Sequence, residues 1–128
     1  MATRGVGVDL VDVERFALAL SRHPALAERL FTDDERRDAA QRPERLAARF
    51  AAKEAVLKSL RVGVGAAPWR SIEVRRDVNG APVLRLHAAA AELATRRGVV
   101  RWNLSMTHTR LSAAAVVVAS DDEDPDAR

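Results

Sequence analysis

The chain has 128 residues, 48% of them hydrophobic, a formal net charge of +3 and no cysteine. That length suits one domain, the missing thiols exclude disulfides, thiolate metal sites and a cysteine nucleophile, and no apolar run approaches a membrane span. The charge is uneven, with 20 cations against 13 acids over residues 1–119 and five acids against one arginine over 120–128, so a folded domain over 1–119 that favours an anionic partner precedes an acidic tail over 120–128 with little to bury, expected to be disordered.

From Gly5 to Val11, Val6, Val8 and Leu10 alternate with Gly5, Gly7 and Asp9, which predicts a strand whose Asp9 shares its face with two glycines. Asp9 also arrives too early for the apolar region of a signal peptide, which makes a cytoplasmic protein the expectation. A helical pattern runs from about Asp12, a candidate cap, to Ala40, with a second start at Thr32, where T-D-D-E has capping-box spacing. Pro43 fits the first turn of a third helix running to about Leu60, stopped by the loop from Gly63 to Pro68. Two strand-like runs, SIEVRRD and PVLRLH, flank Asn79-Gly80, a strong hairpin signal. HAAAAELATRRG reads as a helix with Gly98 past its end, and RWNLSMTHT and LSAAAVVVAS read as closing strands. The fold class is α+β, an antiparallel sheet with helices packed on it in the order β-α-α-α-β-β-α-β-β. Because 25 of the hydrophobic residues are alanines, the core is modest, and an oligomer that extends it is expected.

Both lysines of the chain lie in RFAAKEAVLKSL, in a chain that otherwise uses 19 arginines. At about 100° per residue, Leu46, Phe50, Leu57 and Leu60 form a core stripe containing Lys53, while Glu54 and Lys58 lie along its margin. Ala48, Ala51, Ala52 and Ala55 occupy the opposite side and permit close approach of another backbone. Glu54 and Lys58 are either an ordinary i,i+4 pair worth about 0.2–0.5 kcal/mol, with Lys53 snorkelling, or part of a site for anionic oxygens that needs a compact ammonium rather than a guanidinium fork. Asp9 is either a strand-end acceptor of backbone hydrogen bonds or, with a helix carboxylate, half of a Mg²⁺ site completed by substrate phosphates and water. His108, on the face of Trp102, Leu104 and Met106, is either a core histidine or a phosphate donor at a strand end.

Taken together, GVGVDLVDVERF, LFTDDE, RFAAKEAVLKSL, the glycine loop before PWRSIEV, and SMTHT resemble the small 4'-phosphopantetheinyl transferases, most closely those of the holo-[acyl-carrier-protein] synthase type. The resemblance covers nearly the whole chain except the tail. It implies transfer of phosphopantetheine from coenzyme A to a serine of an apo acyl carrier protein, releasing adenosine 3',5'-bisphosphate. It places Mg²⁺ on Asp9 and Glu54, a phosphate-facing catalytic lysine at Lys58, Arg49, Lys53 and His108 around the coenzyme A 3'-phosphate end, and Thr109 among the cofactor-binding residues. It further implies that Gly63 and Gly65 border the cofactor and that Arg15 and Arg22 meet the carrier's acidic helix. Such enzymes are typically trimers with active sites between subunits. Fatty-acid synthesis is the expected setting, with polyketide and peptide carriers left open. The base that takes the serine proton is Glu54 or a water on the metal. The segment DERRDAAQRPERLAARF is short and arginine-rich against the family pattern.

Two other readings compete. A basic nucleic-acid-binding domain would use the positive body, but the aromatics are only Phe16, Phe31, Phe50, Trp69 and Trp102, without a stacking motif. A non-catalytic coenzyme A or carrier-binding module would have no need of Asp9, Glu54 and Lys58 together.

Overall fold

The structure, a computed structural model, describes residues 2–122. Most of the acidic tail, and with it the expectation of disorder, lies outside the described residues. Within them, Ser120 still belongs to the last strand, and Asp121 accepts the Ala2 backbone N–H at 2.7 Å and pairs with Arg4 at 3.1 Å.

The first strand, β1 (Thr3–Asp12), is longer than the alternating run by a residue or two at each end. Asp12 stops it and caps α1 (Val13–Arg22), its carboxylate accepting the Arg15 N–H at 2.9 Å. The helical run expected to follow is interrupted at His23-Pro24, where proline cannot continue the hydrogen-bond ladder, and resumes as the short α2 (Leu26–Leu30). Next, α3 (Asp33–Asp38) starts on a complete capping box between Thr32 and Glu35. Pro43 then opens α4 (Pro43–Ser59) in the first turn, where its missing N–H costs nothing. After the glycine loop and a 3₁₀ turn at Trp69–Ser71 come β2 (Ile72–Arg76) and β3 (Pro82–Leu86), an antiparallel hairpin turning at Gly80 with φ 83°. The chain closes with α5 (Ala88–Arg96), β4 (Arg101–His108) and β5 (Ser112–Ser120).

The main sheet has the order β1-β5-β4, antiparallel throughout, and the β2-β3 hairpin is a separate two-stranded sheet. Its inner face carries Val11, Ala113, Ala115, Val117 and Leu104, and α4 lies across it. The alanine side of α4 makes the close approach that its composition permits. A Cβ on Gly7 would stand 1.9 Å from the Ala55 carbonyl oxygen, and one on Gly5 would stand 1.8 Å from that of Ser59. No side chain fits there, so helix and strand touch backbone to backbone. With α1, the hairpin and the sheet around it, α4 is buried on nearly every side rather than along one stripe. The outer face of the sheet is different: Val6, Val8 and Leu10 are 59%, 62% and 70% exposed, beside Val116. No helix is long and apolar enough to cross a membrane among the described residues.

Candidate active site

Asp9 projects from the inner face of the edge strand β1, two residues beyond the glycine contacts with α4. Lys58, in the last turn of α4, reaches across to it: Nζ donates to Asp9 Oδ1 at 3.0 Å and to the Val8 carbonyl at 3.1 Å. The pair is therefore with Asp9, 49 residues away, and not the i,i+4 pair with Glu54 that helix spacing allows. Glu54 stands one turn earlier on α4 and is half-buried. Burial, first, and the nearby Asp9 carboxylate, second, raise its carboxyl above the usual range, and Lys58 partly offsets both. Strand β1 and helix α4 thus bring two carboxylates and one ammonium to a single place at the edge of the sheet. Asp9 and Glu54 repel each other there. No cluster of three or more potential metal ligands occurs among the described residues, but a pair of carboxylates suits Mg²⁺, which takes one or two from protein and the rest from phosphate and water.

A second basic site lies on the other flank of α4, toward β4. Arg45 and Arg49 of α4, Arg75 and Arg76 of β2, and His108 of β4 line a cavity of about 320 Å³. Arg75 is committed to Asp34 and Asp38 at 2.9 and 3.3 Å. Arg45, Arg49 and Arg76 have no carboxylate partner among the described residues. Arg49 is only 2% exposed, and its Nε has no hydrogen-bond partner while Nη1 donates to the Arg45 carbonyl at 3.2 Å. Burial, and then Arg76, pull its guanidinium pKa down. A buried cation with an open donor among like charges is an arrangement that can receive an anion. His108 is exposed at the rim, which removes its reading as a core histidine. Thr109 follows it, but its hydroxyl is used in the turn, accepting from the N–H groups of Leu111 and Ser112 at 3.2 and 3.1 Å.

One expectation is corrected. Lys53 reaches neither solvent nor the arginine cavity: its ammonium is fully buried, donating to Glu35 Oε1 at 2.8 Å, to the Trp69 carbonyl at 3.0 Å and to the Ile72 carbonyl. Its pKa is pulled down by burial and held up by Glu35. Three acceptors for three N–H bonds leave nothing for a ligand. Gly63 and Gly65 are exposed, and Gly65, with φ 98°, lines an apolar cavity with Ala25, Pro68 and Trp69 rather than the arginine cavity. Arg15 and Arg22 are exposed on α1 with Leu18, 47% exposed, between them on the same side.

Residues missed in the sequence divide by cause. Arg45 sits one turn before Arg49, so helix spacing alone could have added it. Arg75 and Arg76 reach the cavity only because the hairpin folds against α4, which no local pattern encodes.

Comparisons with known proteins bear on the family and the fold. Residues 5–117 match the family model of the 4'-phosphopantetheinyl transferase superfamily. The chain is 53% identical over 122 residues to the holo-[acyl-carrier-protein] synthase of Frankia casuarinae, covering 93% of this chain and 98% of that protein. Among solved structures, that of holo-[acyl-carrier-protein] synthase from Neisseria meningitidis superposes with a TM-score of 0.84 at 31% identity, covering 93% of this chain and 99% of the other. A coenzyme A complex of the enzyme from Chronobacterium ammoniagenes superposes with a TM-score of 0.83 at 34% identity, covering 96% of this chain and 100% of the other. Matched along nearly its whole length in sequence and in fold, the chain belongs to the 4'-phosphopantetheinyl transferase superfamily.

Proposed function

We propose that this protein is a holo-[acyl-carrier-protein] synthase, which moves the 4'-phosphopantetheine group of coenzyme A onto a serine of an apo acyl carrier protein and releases adenosine 3',5'-bisphosphate. The observation that carries this reading is the convergence of Asp9, Glu54 and Lys58 from a strand and a helix, in a chain whose relatives carry that name.

Phosphoryl transfer asks little covalent chemistry of a protein; it asks for in-line placement and cancellation of charge. Asp9 and Glu54 would hold Mg²⁺, which when bound supplies charge neutralisation on the diphosphate. Lys58, 53% exposed and tethered only by Asp9 and one carbonyl, swings its ammonium to a phosphate oxygen or to the departing side. Glu54 accepts the proton of the carrier serine, which attacks the phosphorus nearer pantetheine. The cavity of Arg45, Arg49, Arg76 and His108 takes the 3'-phosphate end of coenzyme A, while Thr109 shapes the turn beside it and Gly63 and Gly65 border the cofactor. Arg15 and Arg22, with Leu18 between them, meet an acidic helix of the carrier that has an apolar residue at its centre.

The two halves of this site lie on opposite flanks of α4 in one chain. The exposed face of Val6, Val8, Leu10 and Val116 is the surface through which copies associate, as trimers, so that one copy's Asp9-Glu54-Lys58 flank faces another's arginine cavity. The reaction belongs to the cytoplasm and serves fatty-acid synthesis in this reading.

The test is mass spectrometry of an apo carrier protein incubated with this protein, coenzyme A and Mg²⁺. The carrier gains one phosphopantetheine, and a carrier with its serine replaced by alanine gains none. An unchanged carrier overturns the reading.

A further inference from the structure

Lys53 of α4 is fully buried, and its three bonds go to three different pieces of the chain. The carboxylate of Glu35 belongs to α3, the Trp69 carbonyl to the turn that ends the glycine loop, and the Ile72 carbonyl to the start of β2. Glu35 is equally enclosed and spends its remaining capacity on the same junction: Oε1 also accepts the Thr32 N–H at 3.0 Å, and Oε2 accepts the Val74 N–H at 2.9 Å. The ring of Phe31 closes the site, its centroid 5.5 Å from Nζ. One ion pair thus fastens α3, α4, the 3₁₀ turn and β2 together.

Stability is a poor account of this arrangement. A buried ion pair pays a large desolvation penalty, and apolar residues of similar volume often hold a core as well or better. What an apolar pair would not do is select two particular carbonyls and fix their distance from α4. The choice of lysine fits that task. In a chain that uses arginine 19 times, a planar fork with five donors would leave N–H groups unmet at a point where three acceptors converge.

The carbonyl that Lys53 holds belongs to Trp69, and the ring of Trp69 rests on Phe50 with centroids 5.1 Å apart, while Phe50 stacks on Phe16 of α1 at 5.2 Å. Phe50 is one helical turn before Glu54. The glycine loop therefore runs from the end of α4, just past Lys58, back to an anchor beside the turn that carries Glu54.

We propose that Lys53, locked by Glu35, is a positioning residue for the transfer reaction: through the Trp69 and Ile72 carbonyls it sets the glycine loop against the Phe50-Glu54 turn of α4. It touches neither coenzyme A nor carrier. The inference rests on the transfer reading above and deepens it by assigning the second lysine of the helix.

The test compares wild type, Lys53→Met, and the double variant Lys53→Met with Glu35→Gln, which removes both charges so that no carboxylate is left buried and unpaired. Kinetics are read well below each variant's own melting midpoint, so that folded protein is compared with folded protein. Trp69 emission is read in a Trp102→Phe background, with that background as its own reference. The expected result is a KM for coenzyme A raised about tenfold in both variants, together with a shifted Trp69 emission, since a misplacement of ~1 Å is enough to cost that much or more. A smaller folded fraction would lower kcat alone. A double variant with wild-type KM and wild-type Trp69 emission overturns the inference and leaves the pair as an ordinary piece of core. An inactive wild type overturns the transfer reading and, with it, any part Lys53 plays in transfer.

Discussion

Gly7→Ala tests whether backbone contact between β1 and α4 is what assembles the site. The new Cβ would stand 1.9 Å from the Ala55 carbonyl oxygen, where real Cβ contacts essentially never fall below 3.0 Å. The helix or the strand must therefore move by about 1.1 Å. Neither can do so cheaply, because Ala51, Ala55 and Val56 of α4 are fully buried. Overpacking of this kind typically costs ~1–3 kcal/mol, and an obstacle of backbone rather than flexible side chain belongs at the upper end or beyond. At roughly 4 °C per kcal/mol for a domain of this size, the melting midpoint should fall by about 10 °C or more. Because Ala55 adjoins Glu54, the displacement also parts Glu54 and Lys58 from Asp9, and a 1 Å misplacement costs ~10²-fold in rate. Urea denaturation at fixed protein concentration reads the first effect, and carrier modification, followed by mass at a temperature where the variant is folded, reads the second. Gly63→Ala is the control for stability, since its Cβ would meet nothing within 4 Å and should shift stability by no more than ~0.5 kcal/mol. A denaturation midpoint and a turnover for Gly7→Ala that both match wild type would refute the claim that this contact positions the site.

Four further outcomes are expected. Lys58→Arg keeps the pair with Asp9 and the fold but lowers turnover by ~10-fold or more, about 1.4 kcal/mol of transition-state stabilisation, because the guanidinium is larger and a poor proton donor; wild-type turnover at saturating substrates would return Lys58 to an ordinary surface ion pair. Arg15→Glu with Arg22→Glu weakens carrier binding far more than coenzyme A binding, with the difference shrinking as salt rises, and calorimetry that finds equal losses for both would move these arginines to another role. Val8→Asp places charge on the exposed sheet face and should yield monomers in analytical ultracentrifugation with transfer lost; an active monomer would show that one chain holds a complete site. In Glu73, burial acts to raise the carboxyl, but bonds from Thr32 and His87 outweigh it and hold the pKa below the ordinary 4.5, so the unfolded chain binds the proton more readily, and stability that is present above pH 4.5 is lost as the pH falls through the folded value. Glu73→Gln should flatten that acid limb in urea titrations across pH, and an unchanged limb would contradict the assignment.

The parts of this protein that could be read without a structure are those whose causes are local. Asp12 caps α1 because its carboxylate reaches an N–H three residues on, and Thr32 with Glu35 closes its box within one turn. Pro43 and Asn79-Gly80 act through their own backbone preferences, and the alternation in β1 puts Asp9 on the face of Gly5 and Gly7 whatever lies opposite. These are interactions between neighbours, so spacing reports them. Even the interruption at Pro24 was local information, overridden in the reading by a helical pattern that continued past it.

Where the charged groups go was decided at longer range. Helix spacing offers Glu54 as the partner of Lys58, yet the ammonium turns to Asp9, because two glycines let β1 lie against α4 closely enough for a strand carboxylate to come within reach. Lys53 and Arg49 sit four residues apart on one helix and look alike as cations, but α3, the 3₁₀ turn and β2 enclose the first with a carboxylate and two carbonyls, while the second is enclosed among arginines with a donor left open. A side chain's identity and helical phase determine the direction in which it leaves the backbone. Whether it meets an acceptor, a like charge or solvent there depends on segments tens of residues away, and only the packing of the whole chain supplies them.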